Sequence, residues 1–419
     1  MKLEYQRIFK HWLRKARKSK GISQSALAGE VGYDRSYITK IETTALSINY
    51  HTASEIVSKF DLGLIIDQDK IKEFEDVFSK LYIATMSIDD KSVESCHDYI
   101  EENKDEIVNS LCAYKYRLSI LCYDLYKGIS YGDDLIFDLL KIDENGFFSN
   151  EDRQILYNLI GYHHARKRDF DTSHSWYMKS MSIDAHSLGY AMSAYRGTVR
   201  ILQGESYVSA VMMLGEAKNI FKEYGIDQKV FDCDMLLGYI ASKIESHKEA
   251  SDIYSDLIER CKVNNYRDFI RFVTAKLHNI IDLQDDDEVK TMIRTINRDH
   301  LAKLDLDLCC TILYYYCKKR DKANFQKWYD LSKTLKDDRL NRELITLFRA
   351  VIENERPQVV VNIAYEVIEA CDVHFDKTEL SMLKATLLDY WRNTDMRKES
   401  ADLILEVLYK IHTDRYHQV

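Results

Sequence analysis

Apolar residues recur along the chain at the three- and four-residue spacing of helices, broken by short polar or glycine-bearing segments. The stretch from Phe9 to Leu64 reads as five short helices. The first covers Leu3 to Ser19 with Phe9, Leu13 and Ala16 inward, and Gly21 ends it, because glycine accepts the left-handed turn at a helix C-terminus. Ser23 caps a second helix, Gln24 to Val31, whose inward residues are Leu27, Ala28 and Val31. After a turn at Gly32, Asp34 caps a third helix, Arg35 to Glu42, with Ile38 and Ile41 inward. Asn49 caps another that carries Ala53, Ile56, Val57 and Phe60 on its core side. With Ile38 and Ile41 buried, Arg35, Ser36, Thr39 and Lys40 form the opposite, exposed face.

From about Asp69 onward the pattern is helix after helix, with an irregular repeat. One copy runs Tyr157, Ile160-Gly161, His164, Asp169-Phe170, Ser173, Tyr177, Ser180; a second runs Leu237-Gly238, Ala241, Ala250, Tyr254, Leu257. A stretched copy lies between them (Gly197, Gly204, Tyr207, Ala210, Ala217), and weaker ones span Leu313 to Ser332 and Ala401 to Leu408. This order of large, small and aromatic positions resembles the tetratricopeptide repeat. Small residues let two helices approach, an aromatic fills the gap, and each pair buries its remaining face on a neighbour. The fold expected is all-α: a helix-turn-helix domain over 1–66, then a tetratricopeptide-like helical-repeat superhelix over 67–419 serving peptide binding and dimerisation. Asp61 to Lys70 would be the hinge between them.

Charge sharpens the picture. Residues 1–68 hold eleven Lys and Arg against seven Asp and Glu, a net of +4, whereas the whole chain is −9. A basic end on an acidic body fits a nucleic-acid-binding head. One proline in 419 residues, Pro357, and 14 glycines suit helices on short loops better than sheets. No apolar run approaches the ~18 residues of a membrane span. No signal peptide is evident, and nine scattered cysteines without a C-x-x-C pair suit reduced thiols, so a cytoplasmic location is expected. His163-His164 has no ligand partner at helical spacing, and Asp285-Asp286-Asp287 lacks the glycine and glutamate of a calcium loop. Neither metal nor cofactor is expected, and no phosphate-binding loop, dinucleotide fingerprint or nucleophile elbow suggests an enzyme.

Lys20-Gly21-Ile22-Ser23-Gln24, Leu27-Ala28, Val31-Gly32, Ser36-Tyr37-Ile38 and Lys40-Ile41-Glu42 together resemble the Cro/repressor-type (XRE) helix-turn-helix family. The resemblance implies that Gln24 touches the DNA backbone and braces the recognition helix, while Arg35, Ser36 and Lys40 meet base edges in the major groove; Thr39 shares their face. Thr44 and Ile48 depart from the glycine and proline usual in that family. Such a head on a tetratricopeptide-like body resembles the RNPP group of quorum-sensing transcription regulators (Rgg, NprR, PlcR and PrgX). The resemblance implies a homodimer on an inverted-repeat operator of double-stranded DNA, controlled by a short signalling peptide in the repeat groove. The repeat register places Asn158, Tyr162 and Arg166, then Tyr239 and Lys243, then Asn279 on the groove side: Asn to bond peptide backbone, Tyr to give apolar area, Arg or Lys to hold a carboxylate terminus. The alternative is an interaction scaffold, Rap-like in binding a protein partner, that the head merely targets to DNA.

Overall fold

A computed structural model describes residues 1–43, 46–60, 63–129, 133–203, 206–261, 266–299, 304–336, 338–371, 377–394 and 397–413. Among them the regular structure is helical, apart from one isolated parallel bridge between Ile65 and Ser110. No helix of the described residues is long and apolar enough to cross a membrane. The chain divides into two compact units, Met1–Cys233 and Asp234–Val419.

Four helices build the head: α1 (Leu3–Ser19), α2 (Gln24–Val31), α3 (Arg35–Glu42) and α4 (Tyr50–Phe60). The fifth expected before Leu64 is absent from the described residues. The local signals act as their chemistry demands. Gly21 and Gly32 adopt φ of +68° and +77°, the left-handed region that costs glycine nothing. The Ser23 side chain accepts the Ala26 N–H, and Asn49 Oδ1 accepts the Thr52 N–H, satisfying otherwise orphaned donors at the starts of α2 and α4. Asp34 flanks α3 without a side-chain capping bond. Phe9, Leu13, Leu27, Ile38, Ile41, Ala53 and Ile56 are fully buried, whereas Ala16 and Val57 are only half-buried at the rim. Thr44 lies outside the described residues; Ile48 is buried and donates its N–H to Gln6 Oε1.

The rest of the first unit contains α5 (Gln68–Ser87), α6 (Asp90–Glu102), α7 (Lys104–Val108), α8 (Ala113–Lys127), α9 (Asp133–Glu144), α10 (Asn150–Arg166), α11 (Phe170–Met181), α12 (Leu188–Gln203) and α13 (Tyr207–Glu223), with the start of α14 (Asp227–Lys243). Alternate helices touch in a row, α5 on α8, α8 on α10 and α10 on α12, while α6, α9, α11 and α13 back them in turn. Gly161 and Gly189 set the spacing around α10. A Cβ on Gly189 would fall 2.7 Å from the backbone nitrogen of Ile155, so no larger residue fits where α12 crosses α10.

The second unit continues with α15 (His247–Arg260), α16 (Tyr266–Leu283), α17 (Asp286–Asp299), α18 (Leu306–Lys318), α19 (Lys322–Ser332), α20 (Arg339–Glu353), α21 (Pro357–Ala370), α22 (Lys377–Asn393) and α23 (Arg397–Thr413). Pro357 stands at the first position of its helix, where its missing N–H would have had no helical partner. Again alternate helices touch, α16 on α18, α18 on α20 and α20 on α22. Their core contains Cys309, Cys310, Leu313, Phe348, Val351, Leu383 and Tyr390. Asp285 caps α17 through the Glu288 N–H.

Candidate functional site

The reading face of the head is held by one polar network. Glu42, at the end of α3, is buried and accepts Arg17 Nε at 2.6 Å and Arg17 Nη2 at 2.8 Å. Gln24 Nε2 donates to Glu42 Oε2 at 2.8 Å, and Gln24 Oε1 accepts the Thr39 hydroxyl at 3.1 Å. Burial alone would raise the Glu42 carboxyl, but Arg17 and Gln24 outweigh it and hold it below its ordinary range. Thus α1, α2 and α3 are locked by a bidentate ion pair, a geometry that specifies direction as well as strength. Gln24 braces the third helix through Thr39, and Thr39 also donates to the Arg35 carbonyl.

Arg35, Ser36 and Lys40 are exposed along α3, and their side chains make no hydrogen bond or ion pair with the described residues. Beside them Tyr37 stacks on Tyr33 at 4.8 Å, and the Tyr33 hydroxyl donates to Glu55. A rigid helix therefore presents a fork of donors, a hydroxyl and an ammonium, all unspent. Those groups can pair with base edges or phosphates.

The described residues between the head and α5 are tied down. Asp61 and Leu62, within the expected hinge, lie outside the described residues. Ile65, however, donates its N–H to the Asn109 carbonyl at 2.6 Å, and α5 has begun by Gln68. Helix α1 docks directly. Glu75 of α5 accepts Tyr5 Oη at 2.5 Å and Lys2 Nζ at 2.6 Å, and lies 3.4 Å from Lys115 Nζ of α8. Lys115 in turn pairs with buried Asp152 at 3.1 Å, and Asp152 closes the capping box that starts α10. Burial would lower the Lys115 ammonium, yet Asp152 and Glu75 hold it above its ordinary value. Arg7 adds a bond to the Gly146 carbonyl, and Phe147 packs against His11 and Tyr114.

The other end of α10 borders a cavity of about 290 Å³ in the first unit. Its walls come from α5 (Tyr82, Thr85, Met86), α8 (Cys122, Leu125, Tyr126), α10 (Leu159, Tyr162) and α12 (Met192, Arg196), with Ile88 and Lys229 at its margin. Tyr162 lines this cavity, half-buried with the Arg196 guanidinium 4.2 Å from its ring centroid.

Asn158 is not on the surface. It is fully buried, accepts Tyr82 Oη at 3.2 Å and Arg196 Nη1 at 2.8 Å, and donates to Ser193 at 3.0 Å. With α5, α11 and α12 all close around α10, a residue one turn from the groove becomes interior. Its amide is spent holding Arg196. Arg166 is exposed, but its guanidinium donates to the Leu125 carbonyl at the end of α8 rather than facing the cavity.

In the second unit Lys243 lies over the Tyr239 ring at 5.3 Å. Asn279 is buried: its Nδ2 donates to the His247 carbonyl and its Oδ1 meets His247 Nδ1, both at 3.0 Å. Asn279 therefore turns toward α15 and is not open to a ligand there. His278, which packs on Tyr314 and lies 3.5 Å from Asp282, takes the side toward α18. His163 and His164 go to different carboxylates, Asp133 and Asp169, and do not converge.

Arg196, Tyr82 and Lys229 escape a reading of the repeats. Tyr82 and Lys229 lie outside the repeat copies, and the copy that begins at Gly197 is stretched, which leaves the groove side of α12 unassigned; the one local signal is Arg196 standing a turn from Ser193 and beside Gly197. The helix-turn-helix family model (HTH_3) matches residues 13–65, from the middle of α1 to the Ile65 bridge. A search of curated proteins gave no match. With that match and the exposed reading helix, the head marks a DNA-binding transcription regulator.

Proposed function

We propose that this regulator is switched by a short signalling peptide that enters the cavity between α5, α8, α10 and α12, as in quorum sensing. One observation carries the reading: α10 has the cavity at its C-terminal half and the ionic junction to the head at its N-terminus. A ligand that shifts α10 bears on Asp152, then Lys115, then Glu75, and so on the helix that positions the reading face. Interiors pass on such shifts because packed helices have few alternative arrangements. Tyr162 is the peptide-facing residue of α10, with Arg166 outside the cavity wall as a secondary contact. Asn158 supports it from beneath.

A homodimer on an inverted repeat completes the proposal. One head of this size buries too little DNA surface for regulatory affinity, and two-fold symmetry doubles it. The test is to select operator DNA from a random pool with the full chain, footprint it, and titrate short peptides into the complex. A two-fold symmetric footprint whose affinity shifts several-fold with a peptide supports the proposal. A single half-site footprint overturns the dimer, and operator binding indifferent to every peptide overturns the switch.

A further inference from the structure

Charges in protein interiors are paired, because an unpaired one gives up its hydration without return. Arg196, half-buried in the wall of the cavity, has no such partner among the described residues. Its guanidinium has five N–H donors, and its hydrogen bond goes to a neutral amide, Asn158 Oδ1, at 2.8 Å. Its other close neighbour is the Tyr162 ring at 4.2 Å. Among the described residues no carboxylate lies within ion-pair distance of it. Lys229, at the same cavity, is different: its ammonium is paired with Asp232 at 2.8 Å.

The position is also built. Asn158 is fully buried and fixed on its other side by Ser193, whose hydroxyl donates to Ser180. The amide oxygen that holds Arg196 also accepts Tyr82 Oη. Arg196 is therefore aimed from a rigid support, with its remaining donors unspent, at a space walled by Met86, Leu159 and Met192. A cavity of ~150 Å³ takes up a benzene-sized ring; this one, at about 290 Å³, has room for a side chain of that size and the backbone end that bears it.

We infer that this cavity is a receptor for a carboxylate borne on an apolar or aromatic residue, with Arg196 as its charged anchor and Asn158 as the positioning residue. Two parallel N–H···O bonds from a guanidinium suit a carboxylate better than any neutral group. The inference rests on the peptide reading above only in taking that carboxylate to be a peptide's C-terminus. A half-buried guanidinium already oriented by Asn158 binds its anion with little further ordering cost, so acid is preferred over amide.

The test uses the full chain and two minimal probes, N-acetylphenylalanine and N-acetylphenylalanine amide, followed by calorimetry or ligand-observed NMR. The acid is expected to bind at least about tenfold more tightly than the amide, in line with a charge-assisted pair replacing a neutral one. Arg196→Gln abolishes that difference, whereas Arg196→Lys, which keeps the charge but not the fork, retains part of it. Equal binding of acid and amide, or a preference that survives Arg196→Gln, overturns the inference. Heptapeptides ending in phenylalanine, free or amidated, separate the two levels. Competition by the free-acid peptide alone supports both. If the small acid binds with Arg196 dependence and no heptapeptide competes, the carboxylate receptor stands and the peptide reading fails.

Discussion

A Cβ on Gly161 would fall 2.5 Å from Cε1 of Tyr177, sixteen residues on, and one on Gly238 would fall 2.7 Å from Cε1 of Tyr254, again sixteen residues on. The two pairs make the same contact in the two units: a glycine on the first helix of a pair receives the edge of a tyrosine from the second. Tyr177 and Tyr254 are buried, so neither ring has room to step aside. Gly161→Ala and Gly238→Ala each overpack a fixed gap and should cost about 1–3 kcal/mol. Thermal or urea melts read this. Gly215, where an added Cβ meets nothing within 4 Å, is the control, and its alanine variant should be neutral or slightly stabilising.

Arg35→Ala should weaken operator binding by about 1–3 kcal/mol and relax the preference at one base pair. Its side chain supports nothing else among the described residues, so the head should melt as wild type does. Binding to a panel of singly substituted operators distinguishes a base contact from a phosphate contact, which would weaken all sequences alike and lower the salt slope by about one.

Arg17→Met leaves Glu42 buried with Gln24 as its remaining clamp. Breaking a buried pair on one side costs about 3–5 kcal/mol, far more than a surface pair would. The expectation is a head that loses DNA binding through loss of structure, visible as early exchange of α3 amides. Arg17→Met combined with Glu42→Leu removes both charges and should recover most of that stability.

The junction should open in acid. Burial by itself would raise the Glu75 carboxyl, but Lys115, Lys2 and Tyr5 hold it below the ordinary range. A carboxyl depressed in the folded state contributes stability that is full above its unfolded value of about 4.3 and is lost as pH falls through the folded value. Hydrogen exchange in α1 should therefore quicken below about pH 4 while α20 and α21 of the second unit stay protected. In Lys115→Met the same loosening should already be present at neutral pH.

The local chemistry of the sequence determined the head. Capping residues, turn glycines and a two-sided apolar pattern concern neighbours within a few positions, so Ser23, Gly32, Ile38 and Ile41 suffice to fix α2, α3 and the exposure of Arg35, Ser36 and Lys40. Short-range spacing likewise marks Gly161 with Tyr177. Helical periodicity says which residues share a face, but not how many other helices will cover that face. Helix α10 is enclosed by α5, α11 and α12, so Asn158 became interior although its register resembles that of Tyr162; Asn279 was drawn to His247 in the same way. The partners that matter most, Lys2 with Glu75, Lys115 with Asp152 and Asn158 with Arg196, are 73, 37 and 38 residues apart. Only tertiary packing brings them together, because residues so far apart in the chain meet only through the way their helices stack.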